Sequence, residues 1–290
     1  MNNIRDSISR GKSILVEVLP PRGPNIDKFM KYCLKLKEIG INGLSVTDMP
    51  VGRIRVSPWG VSHLLLKEKI DVLMHYTRTN RSMIRHESDL LALSVLGIDN
   101  LLVLSGDDPK GGDYPFSTKV EDISIDGLIR LIKFLNEGTD LANNNLNGKT
   151  DFFIGAALNP YSHDIEREIE KAKAKVDAGV DFFVTQPIFD TDKFKRFLDG
   201  FTPEKPLVVS IATFKTTKQF FRFADVPGIE IPEDYIKMVS ERVDDEYTRN
   251  YSIERAIRNL SEIRNIISGV YIIGIVKDLE AIRKIKEVMD

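Results

Sequence analysis

The chain has 290 residues, of which 42% are hydrophobic and 29% are charged. Its 41 basic and 43 acidic side chains leave a formal net charge of −2, so no basic surplus exists to drive binding to nucleic acid. The only cysteine, Cys33, excludes an intrachain disulfide, and its helical surroundings favour a buried core residue over a nucleophile. The four histidines show no HxH or HExxH spacing, and we therefore expect no metal site.

Targeting and membrane signals are also missing from the sequence. Residues 1–12 are polar and lack the apolar centre of a signal peptide. No apolar run approaches the ~18 residues that a membrane span requires. We therefore expect a cytoplasmic protein without membrane insertion, and the length suits one large domain over residues 1–290.

Eight short apolar runs follow one another at near-regular spacing. They are Ser13–Leu19, Gly43–Thr47, Asp71–His75, Asn100–Leu104, Asp151–Ala157, Asp181–Gln186, Pro206–Ile211 and Val270–Ile275. Several are apolar on both faces, which is typical of parallel strands covered by helices. Each gap is long enough for a helix, and helical periodicity is clear in Ile26–Ile39, Ser82–Leu96, Ser124–Leu135 and Asp164–Val176. This alternation predicts a (β/α)8 TIM barrel.

The gap between the seventh and eighth runs is much longer than the others. It leaves room for extra helices, which we predict at Thr216–Ala224, Glu233–Arg242 and Ser252–Ser268. We interpret this segment as an insertion in the same barrel and not as a second domain.

Polar side chains stand at or just beyond the ends of the predicted strands. They are Glu17, Thr47, His75, Asp107, Asn159, Gln186, Gln219 and Lys277. Active sites of such barrels lie at the carboxyl ends of the strands, where the loops that follow them meet. These eight residues therefore form the candidate active site.

Glu17 is the most informative member of this set because it interrupts the apolar first strand. An unpaired carboxylate there would be costly, so the group is expected to hold its proton near neutral pH, as a general acid must. The alternative is a carboxylate at the barrel mouth that makes a structural salt bridge. Pro20 and Pro21 then end the strand.

The segment after the fourth strand, Ser105-Gly106-Asp107, allows backbone to approach a ligand closely and projects Asp107 over the mouth, although Gly-Asp is also ordinary turn chemistry. Gln186 ends the sixth strand with an amide that can hydrogen-bond a heterocycle. Lys171 and Lys175 lie one helical turn apart, which equally fits a solvated face. No GxGxxG or P-loop motif occurs, so the barrel loops must hold any dinucleotide.

Together these segments resemble the methylenetetrahydrofolate reductase family. The resemblance includes Glu17 before Pro20-Pro21-Arg22, Ser45-Val46-Thr47, His75-Tyr76-Thr77, Gly106-Asp107, Lys171–Lys175, Thr185-Gln186 with Phe189-Asp190, and Lys218-Gln219 with Phe223-Ala224-Asp225. It implies a barrel that binds FAD non-covalently at its mouth. It also implies reduction of 5,10-methylenetetrahydrofolate to 5-methyltetrahydrofolate.

The resemblance also implies a role for each matched residue. Glu17 would be the acid that assists opening of the folate imidazolidine ring, and Asp107 would contact both folate and flavin. The predicted cofactor-binding set is Thr47, His75, Ser105, Gly106, Asp107, Asn159, Lys171 and Lys175. The predicted substrate-binding set is Gln186, Gln219, Phe223 and Lys277. Asn159 and Lys277 enter these sets by their positions at strand ends.

The sequence departs from the family mainly where flavin or nicotinamide would bind. Ser105 replaces an arginine, and Thr47–Pro50, Tyr76–Arg78 and Ile275–Lys277 replace other family segments. The donor is therefore left open between NAD(P)H and a reduced electron-transfer partner subunit, in a homo- or hetero-oligomer. A flavin-free family barrel and a non-catalytic folate-binding subunit are the alternative hypotheses. The joint presence of Glu17, Asp107 and Gln186 favours an enzyme.

Overall fold

The computed structural model describes residues 3–226, 228–273 and 277–290. Its strands are β1 (Ser13–Val18), β2 (Gly43–Val46), β3 (Val72–Thr77), β4 (Asn100–Leu104), β5 (Phe153–Leu158), β6 (Phe182–Pro187), β7 (Leu207–Ile211) and β8 (Gly269–Ile272). Every neighbouring pair is parallel, and the barrel closes because β8 pairs with β1. The predicted (β/α)8 barrel is confirmed.

Helices alternate with these strands around the barrel. They are α1 (Asn3–Ser9), α2 (Asp27–Ile39), α3 (Pro58–Lys67), α4 (Met83–Val95), α5 (Ile125–Glu137), α6 (Ile165–Asp177), α7 (Thr191–Gly200), α8 (Thr217–Ala224), α9 (Glu233–Glu241), α10 (Asp245–Ile263) and α11 (Leu279–Met289). The helices α8, α9 and α10 are the extra helices predicted after the seventh strand. None of the helices in the described parts of the chain is long and apolar enough to cross a bilayer.

Local sequence explains where several helices begin and end. The side chains of Ser124 and Asp164 cap α5 and α6 by accepting backbone N–H groups from the first turn. Gly40 and Gly138 end α2 and α5 in the left-handed conformation, which glycine adopts without strain. These caps fix where the helices begin and end.

The apolar core has two layers. The larger layer lies between strands and helices, and buried Cys33 on α2 belongs to it. The smaller layer fills the barrel, where Leu15, Leu73 and Phe182 pack together with Tyr271. Because inward-facing side chains fill the barrel interior, ligands have access only at its ends.

Helix α1 was missed by the sequence analysis, which took residues 1–12 only as a polar segment. Ile4 and Ile8 of α1 are fully buried against the interior layer. A Cβ atom on Gly43 would lie 2.5 Å from Cδ1 of Ile4, so the glycine leaves room for the Ile4 side chain. A helix of seven residues is too short to show a helical period, which explains the omission.

Some predicted boundaries also differ from the structure. Helix α10 begins at Asp245 and not at Ser252, because the Asp244 side chain caps its polar first turns by accepting the Tyr247 N–H. The eighth strand was predicted to run to Ile275, and Ile275 and Val276 lie outside the described residues. The remaining strand predictions agree with the structure within two residues at each end.

Candidate active site

Four neighbouring strands place a hydrogen-bonded network at the barrel mouth. The hydroxyl of Tyr271 on β8 donates to Oε2 of Glu17 on β1 at 2.9 Å. The same hydroxyl lies 3.1 Å from Oγ of Ser45 on β2 and 3.0 Å from Nε2 of His75 on β3. Ser45 Oγ and His75 Nε2 are also 3.0 Å apart. We call these four residues the Glu17 network.

Burial fixes the protonation of two members of the Glu17 network. Ser45, His75 and Tyr271 are buried, whereas Glu17 is half-buried. Burial lowers the pKa of His75 to about 4, so its imidazole is neutral at pH 7. Burial, and after it the charge of Glu17, raises the pKa of Tyr271 well above its ordinary value. The phenol therefore keeps its proton as a hydrogen-bond donor.

Glu17 lines a cavity of about 1030 Å³ that we call the β1 cavity. Two predicted substrate-binding residues, Gln219 and Lys277, share its wall. The backbone N–H of Lys215 donates to Oε1 of Gln219 at 3.0 Å, which orients that amide. The basic residues of the wall are Lys28, Lys31, Arg55, Lys215 and Lys277. An acid beside a largely basic wall suits a ligand that carries carboxylates.

A second cavity, of about 820 Å³, lies at the ends of β4, β5 and β6, and we call it the β5 cavity. Five predicted site residues line it: Ser105, Asn159, Lys171, Lys175 and Gln186. Arg78 and Arg167 add positive charge, while Glu121, Asp122 and Asp126 line the same cavity. Gln186, predicted on the substrate side, thus shares a cavity with predicted cofactor positions.

Lys175 is a half-buried cation of the β5 cavity. Its Nζ donates to the Ala157 carbonyl at 2.6 Å, and burial lowers the pKa of Lys175. The nearby carboxylate of Glu168 accepts from the Asn159 N–H at 3.0 Å and lies 3.6 Å from Nζ of Lys171. The ammonium groups of Lys171 and Lys175 offer cationic partners for an anionic ligand.

Asp107 lies on an exposed loop and lines neither cavity. One of its carboxylate oxygens accepts the backbone N–H of Val51, which has the unusual φ of +59° for a β-branched residue. In the same region, the Asp113 carboxylate accepts from the Ile54 N–H at 2.9 Å and from Arg22 at 2.6 Å. Asp107 and Asp113 therefore join the loops that follow β1, β2 and β4.

The remaining predicted residues differ in their surroundings. Gly106 has a φ of +81°, and a Cβ there would lie 2.2 Å from Thr79 Oγ1. Backbone conformation and packing therefore explain this glycine without a ligand. Thr47 is buried, and its hydroxyl has no hydrogen-bond partner among the described residues. Phe223 is buried in an aromatic cluster with Phe214, at a centroid distance of 5.4 Å, and lines neither cavity.

Comparison with known proteins decides the family. The family model described as "Methylenetetrahydrofolate reductase" matches residues 3–289, almost the whole chain. The chain belongs to the methylenetetrahydrofolate reductase family. It is 28% identical over 210 residues to methylenetetrahydrofolate reductase 1 of Schizosaccharomyces pombe, covering 70% of this chain and 32% of the relative. It is 27% identical over 212 residues to methylenetetrahydrofolate reductase (NADH) 1 of Arabidopsis thaliana, covering 67% of this chain and 34% of the relative.

The chain thus spans about a third of the length of these curated relatives. A solved structure similar to it is a Clostridium thermocellum protein described as binding two copies of 5-methyl-5,6,7,8-tetrahydrofolic acid. Their TM-score is 0.71 with 17% identity, over 98% of this chain and 96% of that chain. At that identity the likeness concerns the fold.

Two residues of this candidate site were not predicted, namely Ser45 and Tyr271. Each is a hydroxyl-bearing side chain inside an otherwise apolar strand run, the same signal that singled out Glu17. Tyr271 was overlooked because tyrosine is common in strands. No group of three or more His, Cys, Asp or Glu side chains in the described parts of the chain is arranged to hold a metal ion.

Proposed function

We propose that this chain reduces 5,10-methylenetetrahydrofolate to 5-methyltetrahydrofolate with the help of FAD, as an oxidoreductase acting on a CH–NH group in one-carbon metabolism and methionine biosynthesis. One observation carries the proposal. A carboxyl group, Glu17, stands at the wall of the β1 cavity and is held there by a buried phenol from the neighbouring strand. Membership of the reductase family supports the same reaction.

The β1 cavity is the proposed folate site. A folate carries a pterin with hydrogen-bonding edges and a glutamate tail with carboxylates. Gln219 offers an oriented amide for the former, and the basic wall with Lys215 and Lys277 offers charge for the latter. The Clostridium thermocellum protein, described as binding 5-methyl-5,6,7,8-tetrahydrofolic acid, supports a folate ligand for this fold.

Glu17 is proposed to supply the proton that the reaction needs. Opening of the imidazolidine ring breaks one bond between the methylene carbon and a ring nitrogen. The electron pair of that bond stays on the departing nitrogen, which takes the proton from the Glu17 carboxyl, and the methylene carbon becomes an iminium carbon. The carboxylate that is left accepts the Tyr271 phenol hydrogen bond.

The β5 cavity fits FAD by its donor set, because the half-buried Lys175 and its neighbour Lys171 suit a diphosphate. Thr47, whose buried hydroxyl has no partner among the described residues, lies outside this cavity. We propose that Lys171, Lys175 and Arg167 hold the diphosphate, with Ser105 and Asn159 beside them. The flavin, when bound, supplies hydride transfer, while the protein supplies position and electrostatics. The electron donor is proposed to be NAD(P)H or a reduced partner subunit.

A second candidate is a folate-binding protein that performs no reduction. The observation that favours it is the presence of two separate cavities at one barrel mouth, together with the two folate copies described for the Clostridium thermocellum neighbour. In that case the β5 cavity would take a second folate instead of FAD.

The experiment that separates these candidates is a titration of the purified protein with FAD and with 5-methyltetrahydrofolate. The reductase predicts quenching of FAD fluorescence at one site per chain and one folate per chain in the presence of FAD. Lack of FAD binding together with two folates per chain would overturn it in favour of the folate-binding protein. The reduction itself is then measured in two stopped-flow half-reactions, donor to flavin and flavin to folate.

A further inference from the structure

We propose that Tyr271 is the positioning residue of Glu17, holding the carboxyl at the wall of the β1 cavity and stabilising its ionised form through the phenol hydrogen bond. The inference rests on the proposed function, because it assigns a role in the proton donation by Glu17. It adds a residue, Tyr271, and two supporting residues, Ser45 and His75, that no family resemblance supplied for this purpose.

Hydrogen counting decides the direction of the phenol bond. A phenol carries one hydrogen, and an ionised carboxylate can only accept. Tyr271 therefore donates its hydrogen to Glu17 at 2.9 Å. Its oxygen is then left to accept from Ser45 Oγ at 3.1 Å or from His75 Nε2 at 3.0 Å. Donation from either neighbour leaves the phenol hydrogen directed at Glu17.

The surroundings make this arrangement rigid. Ser45 is fully buried, and the Tyr271 ring packs in the barrel interior against Leu15 and Leu73. All four members of the Glu17 network stand on strands that pair in the order β8, β1, β2 and β3. Three buried partners on paired strands have few alternative arrangements, so they hold the half-buried Glu17 in one position.

Other charged groups also influence the titration of the Glu17 carboxyl, in addition to the Tyr271 phenol. The ionisable residues that share the β1 cavity with Glu17 are Asp27, Lys28, Lys31, Tyr32, Arg55, Lys215 and Lys277. His75 stands on the interior side and is neutral at pH 7. Cations of the wall act on Glu17 in the wild type and in a Tyr271 variant alike. A difference between the two proteins therefore reports the phenol bond.

Tyr271→Phe removes the bond and keeps the ring in the barrel. Glu17 must be protonated to donate, so the folate half-reaction falls as pH rises through the titration of this carboxyl. Loss of a hydrogen bond to the carboxylate favours the protonated form, and this falling limb moves to higher pH by about one to two units. At a fixed low pH, where the carboxyl is protonated in both proteins, loss of positioning slows the half-reaction by about tenfold or more.

The test combines two readouts. The first is the pH dependence of the flavin-to-folate half-reaction in single turnover. The second is a carbon-13 NMR titration of the Glu17 carboxyl without any cofactor, identified by its loss in Glu17→Gln. Tyr76→Phe is the matched control, because Tyr76 is equally buried but its hydroxyl bonds to His86 outside the barrel. The inference requires an upward shift in both readouts for Tyr271→Phe and none for Tyr76→Phe.

A double variant separates positioning from general damage. If Tyr271 acts through Glu17, then Tyr271→Phe adds no further slowing in the Glu17→Gln background. An unchanged carboxyl titration in Tyr271→Phe, or additive slowing in the double variant, would overturn the inference. Should Tyr271→Phe fail to fold, Ser45→Ala gives the same decision through a smaller shift of the same sign. Full folate reduction by Glu17→Gln would instead overturn the proposed function.

Discussion

The two cavities at the barrel mouth are built in different ways. The acid of the β1 cavity is supported by the Glu17 network, whose four members all stand on paired strands and interlock inside the barrel. The polar residues of the β5 cavity come largely from helix α6 and from the loops after β4 and β5. Under the proposed function, chemistry that needs a precise geometry would be carried by strand residues, whereas a charged cofactor would be bound by longer, adaptable side chains.

The largest expected effect tests the strand-borne side. Glu17→Gln keeps the shape and polarity of the side chain but cannot donate a proton, so the flavin-to-folate half-reaction should fall by ~10²–10⁴-fold. The donor-to-flavin half-reaction does not use this proton and should keep its rate. Stopped-flow absorbance of the flavin measures both. Loss of both half-reactions would mean that Glu17 holds the cofactor, which would erase the distinction between the cavities.

The second prediction concerns the burial of His75 in the Glu17 network. Its pKa of about 4 in the folded protein lies below the ordinary value of about 6.5 for the unfolded chain, so its stabilising contribution is complete above pH 6.5 and is lost as pH falls towards 4. Between pH 6.5 and 5 the free energy of unfolding should drop by about 2 kcal/mol from this group.

Denaturant unfolding at several pH values checks this loss. His75→Gln should remove that part of the pH dependence, while His163→Gln should keep it because His163 is almost fully exposed. An unchanged pH dependence in His75→Gln would show that the Glu17 network takes up a proton without cost.

Substitutions in the β5 cavity should change the affinity for FAD and not the chemical steps. Lys175→Met removes a half-buried ammonium group from the proposed diphosphate site, and FAD should bind about tenfold to a hundredfold more weakly. Lys173→Met on the same helix is the control, since Lys173 is exposed and does not line the cavity. Fluorescence titration with FAD gives both dissociation constants. Equal weakening by the two variants would indicate a non-specific charge effect.

The smallest expected effect concerns Val51, which lies in the loop after β2 and donates its N–H to Asp107 in the loop after β4. Val51 has a φ of +59° and is largely exposed, so Val51→Gly relieves backbone strain with little loss of packing. The free energy of unfolding should rise by about 0.5 kcal/mol. Val95→Gly, at a more exposed position in helix α4, should lower it by a similar amount. Destabilisation by both changes would mean that the Val51 loop is unstrained.

The sequence determined the barrel and much of the mouth. Apolar runs alone predicted all eight strands, because a strand covered on both faces must be apolar along its whole length. The same pattern made Glu17 stand out, since a carboxylate in such a run requires a special environment. Segment order and spacing then indicated the family, which the match over residues 3–289 confirmed.

Only the tertiary structure decided which side chains meet. Tyr271 is 254 residues away from Glu17, and closure of the barrel makes them neighbours by pairing β8 with β1. Local sequence patterns also do not predict the packing of α1 against the barrel interior or the hydrogen bond from the Val51 N–H to Asp107. Periodicity reports which face of an element is buried, whereas side-chain partners depend on strand register and loop path, and these are settled only when the whole barrel closes.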